Sequence, residues 1–169
     1  KQGITQAIGE WGLADKPVLQ ATLKELEELA QADKPLFAHI LTISSHHPYT
    51  VIEEGPVPEH LLKATENTPH YQGYLSRLRY VDDSVSDFIE GFMRSKLSDN
   101  TILITLGDHS SPVLPPEELN LVQDSEIRFR IPMAILTKNH PNPQHYTHPV
   151  HQVDVTPTLS QILGIGGKV

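Results

Sequence analysis

The 169-residue chain carries 21 acidic and 13 basic side chains, a formal net charge of −8, with 38% apolar and 20% charged residues. This balance is ordinary for a globular domain with one core, and it argues against nucleic acid or an anionic membrane surface as the main partner. Cysteine is absent, which removes disulfides, thiolate metal sites and cysteine nucleophiles. No apolar run approaches the roughly 18 residues that a membrane-crossing helix needs, and no signal peptide is visible. Because the first residue is Lys1 rather than Met, a trimmed piece of a longer protein is expected. Ten histidines against five tyrosines and one tryptophan lean the composition toward metal or proton chemistry, although loops also collect histidine.

Lys1 to Leu13 has no clear period and reads as an irregular lead-in. Asp15 is placed to cap a helix with Pro17 in its first turn, and Leu19, Leu23, Leu26 and Ala30 then recur on one face. Leu36 to Ile43 reads as a strand, followed by the polar loop Ser44–Tyr49, and Thr50 to Pro69 as an excursion without period. Tyr71, Tyr74, Leu75, Leu78, Val81, Val85, Phe88, Ile89 and Phe92 form the cleanest helical stripe, predicting a helix over about Tyr71–Arg94 whose aromatics are core.

Thr101 to Leu106 is uncharged and β-branched or aliphatic, as suits a strand buried on both faces. Ser110 to Asp124 is Pro-rich and polar, Pro132–Thr137 is a third strand candidate, and Lys138–His151 is a loop holding His140, His145, His148 and His151. Asp154 is placed to cap a last helix, with Val155, Leu159, Ile162 and Leu163 inward and Gly164 at its end. Helices alternating with apolar strands indicate an α/β layered domain with a largely parallel sheet, residues 1–169 forming a single or partial domain.

Chemistry concentrates where Gly107 breaks the central strand and Asp108 and His109 follow at once. A carboxylate and an imidazole side by side at the carboxyl end of a strand stand where open α/β sheets bind ligands, and they suit Mn, Zn or a similar ion. The plainer alternative is turn chemistry alone. In a parallel sheet the loops Ser44–Tyr49, Gly107–Ser110 and Lys138–His151 gather on one edge, so that His46 or His47 could approach Asp108 and His109. Against this stands the alternative that these histidines are solvated loop residues.

Several segments resemble the sulfatase-like branch of the alkaline phosphatase superfamily, closest to lipoteichoic acid synthases and related phosphoglycerol transferases. They are Trp11–Pro17, Leu41–Tyr49, Leu78–Asp83, Asp99–His109, Arg130–Ile135 and Gln152–Gly164, in the family's order and across nearly the whole chain. The resemblance implies a three-layer α/β/α fold of which this is the carboxy-terminal portion. It also implies metal-assisted transfer or hydrolysis of a phosphate or sulfate ester, in which a threonine, serine or modified cysteine attacks the phosphorus or sulfur and forms a covalent intermediate.

Asp108 and His109 match two ligands of the family's divalent cation, with Mn first and Mg, Ca or Zn as alternatives. His46 matches the family's head-group-binding histidine. Ser45 stands where the family has Asn, and His47 adds a second imidazole, so both are candidate substrate-binding residues. His151 adjoins a motif where some relatives place a further ligand.

The family's nucleophile and acidic ligand precede anything matched here. The expectation is therefore a chain that is inactive alone and whose partner is the missing amino-terminal half. The parent would be membrane-anchored and work outside the cytoplasm on phosphoglycerol or sulfate esters, with no nucleic-acid role. A sheet edge and apolar surface are expected to need covering. The competing readings are a non-catalytic binding module and a true sulfatase, the latter disfavoured because sulfatases commonly carry Asp-Asn where this chain has Asp-His.

Overall fold

The structure, a computed structural model, describes residues 7–8, 12–32, 34–49, 57–111, 113, 129–139 and 142–165. By backbone proximity the chain divides into two compact units, Lys1–Asn139 and His140–Val169, each described by itself.

In the first unit a short antiparallel pair, β1 (Ala7–Ile8) with β2 (Gly12–Leu13), occupies what reads in sequence as an irregular lead-in. Helix α1 (Asp15–Leu29) and the long α3 (Pro69–Arg94) pack against each other, and a 3-10 turn at Lys96–Asp99 leads out of α3. A short α2 (Glu59–Ala64) lies in the excursion that has no helical period; a six-residue segment is too brief to show one. The stretch from Leu36 to Ile43, where a strand is expected, carries no described ladder, and Phe37 is 90% exposed and Leu41 67% exposed.

The α3 helix begins at Pro69, close to the expected Tyr71, with Pro at its first position, where the missing N–H costs nothing. Its buried face is nevertheless rotated from the apolar stripe of the sequence. Gly73, Ser76, Arg77, Tyr80, Ser84, Phe88 and Phe92 are buried, whereas Leu78 is exposed and Tyr71 and Tyr74 are half-buried. The reason is close helix approach. Small residues let α1 sit against α3, and a Cβ at Gly91 would stand 2.7 Å from the Leu23 side chain. Core aromatics Phe88 and Phe92 fill the seam with Leu19 of α1 and Leu97 of the following turn.

Strands β3 (Leu103–Leu106) and β4 (Met133–Leu136) pair antiparallel, with Leu103 opposite Leu136 and Leu106 opposite Met133. Both described ladders are antiparallel, where a largely parallel sheet is expected from the sequence. β3 is only half-buried, and Leu106, Met133 and Ile135 are exposed, so burial on both faces does not hold for this two-stranded ladder.

This pairing corrects a second expectation. The end of β4 lies beside the start of β3, and Lys138 pairs with Asp99 there, so the loop Lys138–His151 departs from the end of the ladder opposite Asp108. Most of Ser110–Asp124 lies outside the described residues, as does His140.

In the second unit a 3-10 turn (Gln152–Asp154) runs into α4 (Val155–Ile162). Asp154 does not cap α4 through its side chain; its carboxylate accepts a hydrogen bond from the His151 N–H at 2.9 Å, in the preceding turn. Gly164 ends the helix as expected. Its φ of 67° and the bonds Gly164 N to Gln161 O and Ile165 N to Ser160 O form a Schellman closure.

The rotated face of α3 has a direct consequence for stability. Phe92→Ala is expected to lower unfolding free energy by about 3–5 kcal/mol, and Leu78→Ala by well under that because Leu78 leaves little buried volume behind. Urea unfolding of both variants checks this, and a larger loss at Leu78 would contradict the assignment of the core.

Candidate functional site

Two groups of side chains stand out. The first follows β3. The Gly107 N–H donates to the Pro132 carbonyl at 3.0 Å, continuing the ladder one step beyond β4. A Cβ at Gly107 would lie 3.2 Å from Ile131, so a bare backbone suits this turn. The His109 N–H then donates to Asp108 Oδ1 at 2.9 Å, which fixes the carboxylate over the turn.

His109 Nδ1 lies 2.8 Å from the Ser110 carbonyl. A carbonyl only accepts, so Nδ1 carries a proton. His109 Nε2 stands 3.5 Å from Asp108 Oδ2, both side chains being well exposed. At this distance the two atoms can share a proton or serve together as ligands of one metal ion. One carboxylate oxygen and one neutral imidazole, with the imidazole's other nitrogen held by a backbone carbonyl, is the donor set and outer support that divalent metals use. The residues therefore fit half of a metal site. Among the described residues no cluster of three or more His, Asp or Glu side chains is arranged to hold an ion by itself.

The second group is the loop Ser44–Tyr49. Its entry is fixed by Asp15, which is buried at the first position of α1 and does not cap that helix. The Asp15 carboxylate instead accepts from the Ile43 N–H (2.8 Å) and the Ser44 N–H (3.1 Å), while the Asp15 N–H donates to Ser44 Oγ (2.9 Å). Arg77, from the buried face of α3, donates to the Ser44 carbonyl at 3.3 Å. Burial lowers the Arg77 pKa from its ordinary value.

The exit of the loop is fixed by Tyr49. A Cβ at Gly73 of α3 would overlap the Tyr49 carbonyl, so the helix presses against the loop backbone at a glycine. Between these anchors the exposed His46 turns its Nδ1 to the His47 carbonyl at 3.0 Å. His47 packs edge-on against Tyr49 (5.6 Å between ring centroids) and lies 6.4 Å from His70. Tyr49 in turn meets His70 at 4.9 Å and Tyr74 at 5.2 Å.

His46 and His47 are thus displayed as a pair on a doubly anchored loop, and Asp108 and His109 form a second pair. His70, Asp15 and Arg77 were not foreseen as site residues. Asp15 reads in sequence as a cap, and Arg77 lies inside an apolar stripe. For His70 the signal was its place directly after Pro69, at the start of a strong helical pattern. The aromatic end of α3, read from the sequence as core, is instead the half-buried wall of this loop. His151, in the second unit, is engaged through its backbone with Asp154.

Two solved structures share the fold. One is a protein in the alkaline phosphatase superfamily from Vibrio parahaemolyticus, with a TM-score of 0.73 and 27% identity over 95% of this chain and 36% of that one. The other is the lipoteichoic acid synthase LtaP from Listeria monocytogenes, with a TM-score of 0.82 and 22% identity over 98% of this chain and 42% of that one. The chain has the α/β fold of the alkaline phosphatase superfamily.

Within that class the assignment narrows. The Sulfatase family model matches residues 2–165, and the chain belongs to that family. Lipoteichoic acid synthase 1 of Bacillus subtilis is 27% identical over 166 residues, 93% of this chain and 25% of the relative. The chain thus spans about a quarter of the length of that relative. Among the described residues no helix is long and apolar enough to cross a membrane.

Burial raises the pKa of both Tyr49 and Tyr71, so the native state holds these phenol protons more tightly than the unfolded chain does. The sign follows: stability is intact below the ordinary tyrosine value of about 10 and declines as pH rises through the raised native values. Alkaline titration of unfolding free energy is expected to show this decline, shallower in Tyr49→Phe and Tyr71→Phe. An unchanged slope in both variants would contradict the packing of these rings.

Proposed function

We propose that this chain is the carboxy-terminal part of a phosphoglycerol-transferase catalytic domain that acts on phosphate esters at the outer face of the cell membrane. The observation that carries the reading is the arrangement after β3, where His109 Nε2 and Asp108 Oδ2 stand 3.5 Å apart with the imidazole proton directed to the Ser110 carbonyl. Family membership supports it, as does similarity to lipoteichoic acid synthase 1 of Bacillus subtilis.

Asp108 and His109 would hold a divalent cation, Mn before Mg, Ca or Zn, through one carboxylate oxygen and one neutral imidazole nitrogen. Such an ion, when bound, offsets negative charge on phosphoryl oxygens and lowers the pKa of an attacking hydroxyl. His46, exposed on the loop, would meet the head group through its imidazole, which can hydrogen-bond a glycerol hydroxyl or a phosphoryl oxygen. His47, held edge-on by Tyr49, walls the same loop. The nucleophile and the remaining ligands would come from upstream sequence, which also supplies the membrane anchor.

The isolated chain, with two metal ligands and no assigned nucleophile, is therefore expected to be inactive. An assay with an aryl phosphate and with a phosphatidylglycerol analogue checks this; robust metal-dependent turnover by the 169 residues would overturn it. In a polypeptide that includes the upstream sequence, turnover of the phosphatidylglycerol analogue is expected, and preference for an aryl sulfate would make the protein a sulfatase. Failure to turn over any of these esters would leave a non-catalytic module.

Asp108→Ala and His109→Ala are each expected to weaken Mn binding by at least about 10–100-fold, the loss that even outer-shell changes cause. Paramagnetic broadening of the histidine ring signals in the 169-residue chain reads this directly. Broadening that persists unchanged in both variants would place the ion elsewhere.

A further inference from the structure

From Leu36 to Ile43 the chain holds no Asp, Glu, Lys or Arg, and only His39 and Thr42 are polar. A near-continuous apolar run of this length is what strands covered on both faces carry. In the structure the run is anything but covered. Leu36, Phe37, Ala38, His39 and Leu41 are all exposed.

The backbone is as bare as the side chains. Among the described residues no N–H or C=O from Leu36 to Thr42 has a hydrogen-bond partner, and no helix, turn or bend interrupts the run. In a strand, successive residues direct these groups to opposite sides, so a strand formed here is open on both edges. Only the end of the run is anchored, where the Ile43 N–H donates to the Asp15 carboxylate at 2.8 Å. An apolar segment with both edges open and its side chains in solvent is a template for pairing.

The number of open edges decides which partner fits. A second copy of this chain, paired symmetrically, would bring the same run to one edge and leave the other bare. Covering both edges takes a strand on each side, which is a portion of a domain. The two solved chains that share this fold have chain to spare for it, since this one covers 36% of the first and 42% of the second. We propose that Leu36–Thr42 is a docking strand for upstream sequence of the same domain, which adds an apolar strand along each edge and covers Phe37 and Leu41. This rests on the reading of the chain as the carboxy-terminal part of a catalytic domain. Because the loop with His46 and His47 starts at Ser44, the same docking delivers upstream chain to the strand end that carries those imidazoles.

Amide hydrogen exchange tests this in the 169-residue chain and in a polypeptide that includes the upstream sequence. In the 169-residue chain the amides of Phe37 to Thr42 are expected to exchange within about tenfold of the unfolded rate, and in the longer polypeptide at least about 100-fold more slowly. Phe37→Asp and Leu41→Lys place a charge on the covered faces and are expected to restore fast exchange in the longer polypeptide. Leu29→Lys, at an exposed position of α1, is expected to leave it slow.

The proposal is overturned if these amides stay fast in the longer polypeptide, or if the 169-residue chain already protects them. Protection in the 169-residue chain that rises with its concentration would make a second copy the occupant, which also overturns it. Should both charged variants fail to fold, the comparison of the two unsubstituted polypeptides decides alone. Turnover of the phosphatidylglycerol analogue by the longer polypeptide is read separately. Slow amides without turnover keep the docking strand and sink the transferase reading, and turnover with fast amides does the reverse.

Discussion

The hydrogen bonds from Ile43 and Ser44 to the Asp15 carboxylate are the constraint from which the first unit's loop geometry follows. They tie the start of α1 to a stretch of chain 28 and 29 residues further on, and Arg77 brings α3 to the same serine. Remove that junction and the two helices still have an apolar seam, but the loop between them has lost its fixed origin. Buried charge in a seam built from Phe88, Phe92, Leu19 and small residues needs a reason. The reason here is geometric, since a carboxylate that accepts two adjacent backbone N–H groups admits one backbone path.

The turn after β3 works by a different rule. It is exposed, and it holds its shape through very short-range bonds: the His109 N–H to its own neighbour's carboxylate, and the ring Nδ1 to the next carbonyl. Glycine at position 107 lets the chain turn tightly against Ile131 and Pro132. The result is a carboxylate and an imidazole side by side, 3.5 Å apart. In the reading proposed above, this pair would be half of a cation site.

Much of this could be read from the residues. Apolar spacing located α3, and the turn signal at Gly107 located the pair Asp108 and His109 at a strand's end. The order of motifs pointed to the superfamily that fold and family matching show. What stayed hidden had physical causes. Hydropathy placed the face of α3 on its aliphatic residues, but the helix packs through Gly73, Ser76 and Ser84, because close approach between helices selects small side chains that a hydrophobic count ignores. Strand direction was misjudged because an apolar run carries no information about its neighbour's polarity. Asp15 carries the residue type of a helix cap, and only the long-range contact to Ser44 shows its use.

The claim on which the functional account rests is that Asp108 and His109 hold a cation. Crystals of the chain grown with manganese, with diffraction recorded on both sides of the Mn absorption edge, test it most directly. The account requires an anomalous peak within bonding distance of Asp108 Oδ2 and His109 Nε2 that disappears below the edge. A map with no peak there, or with the metal bound only to other histidines, would contradict it.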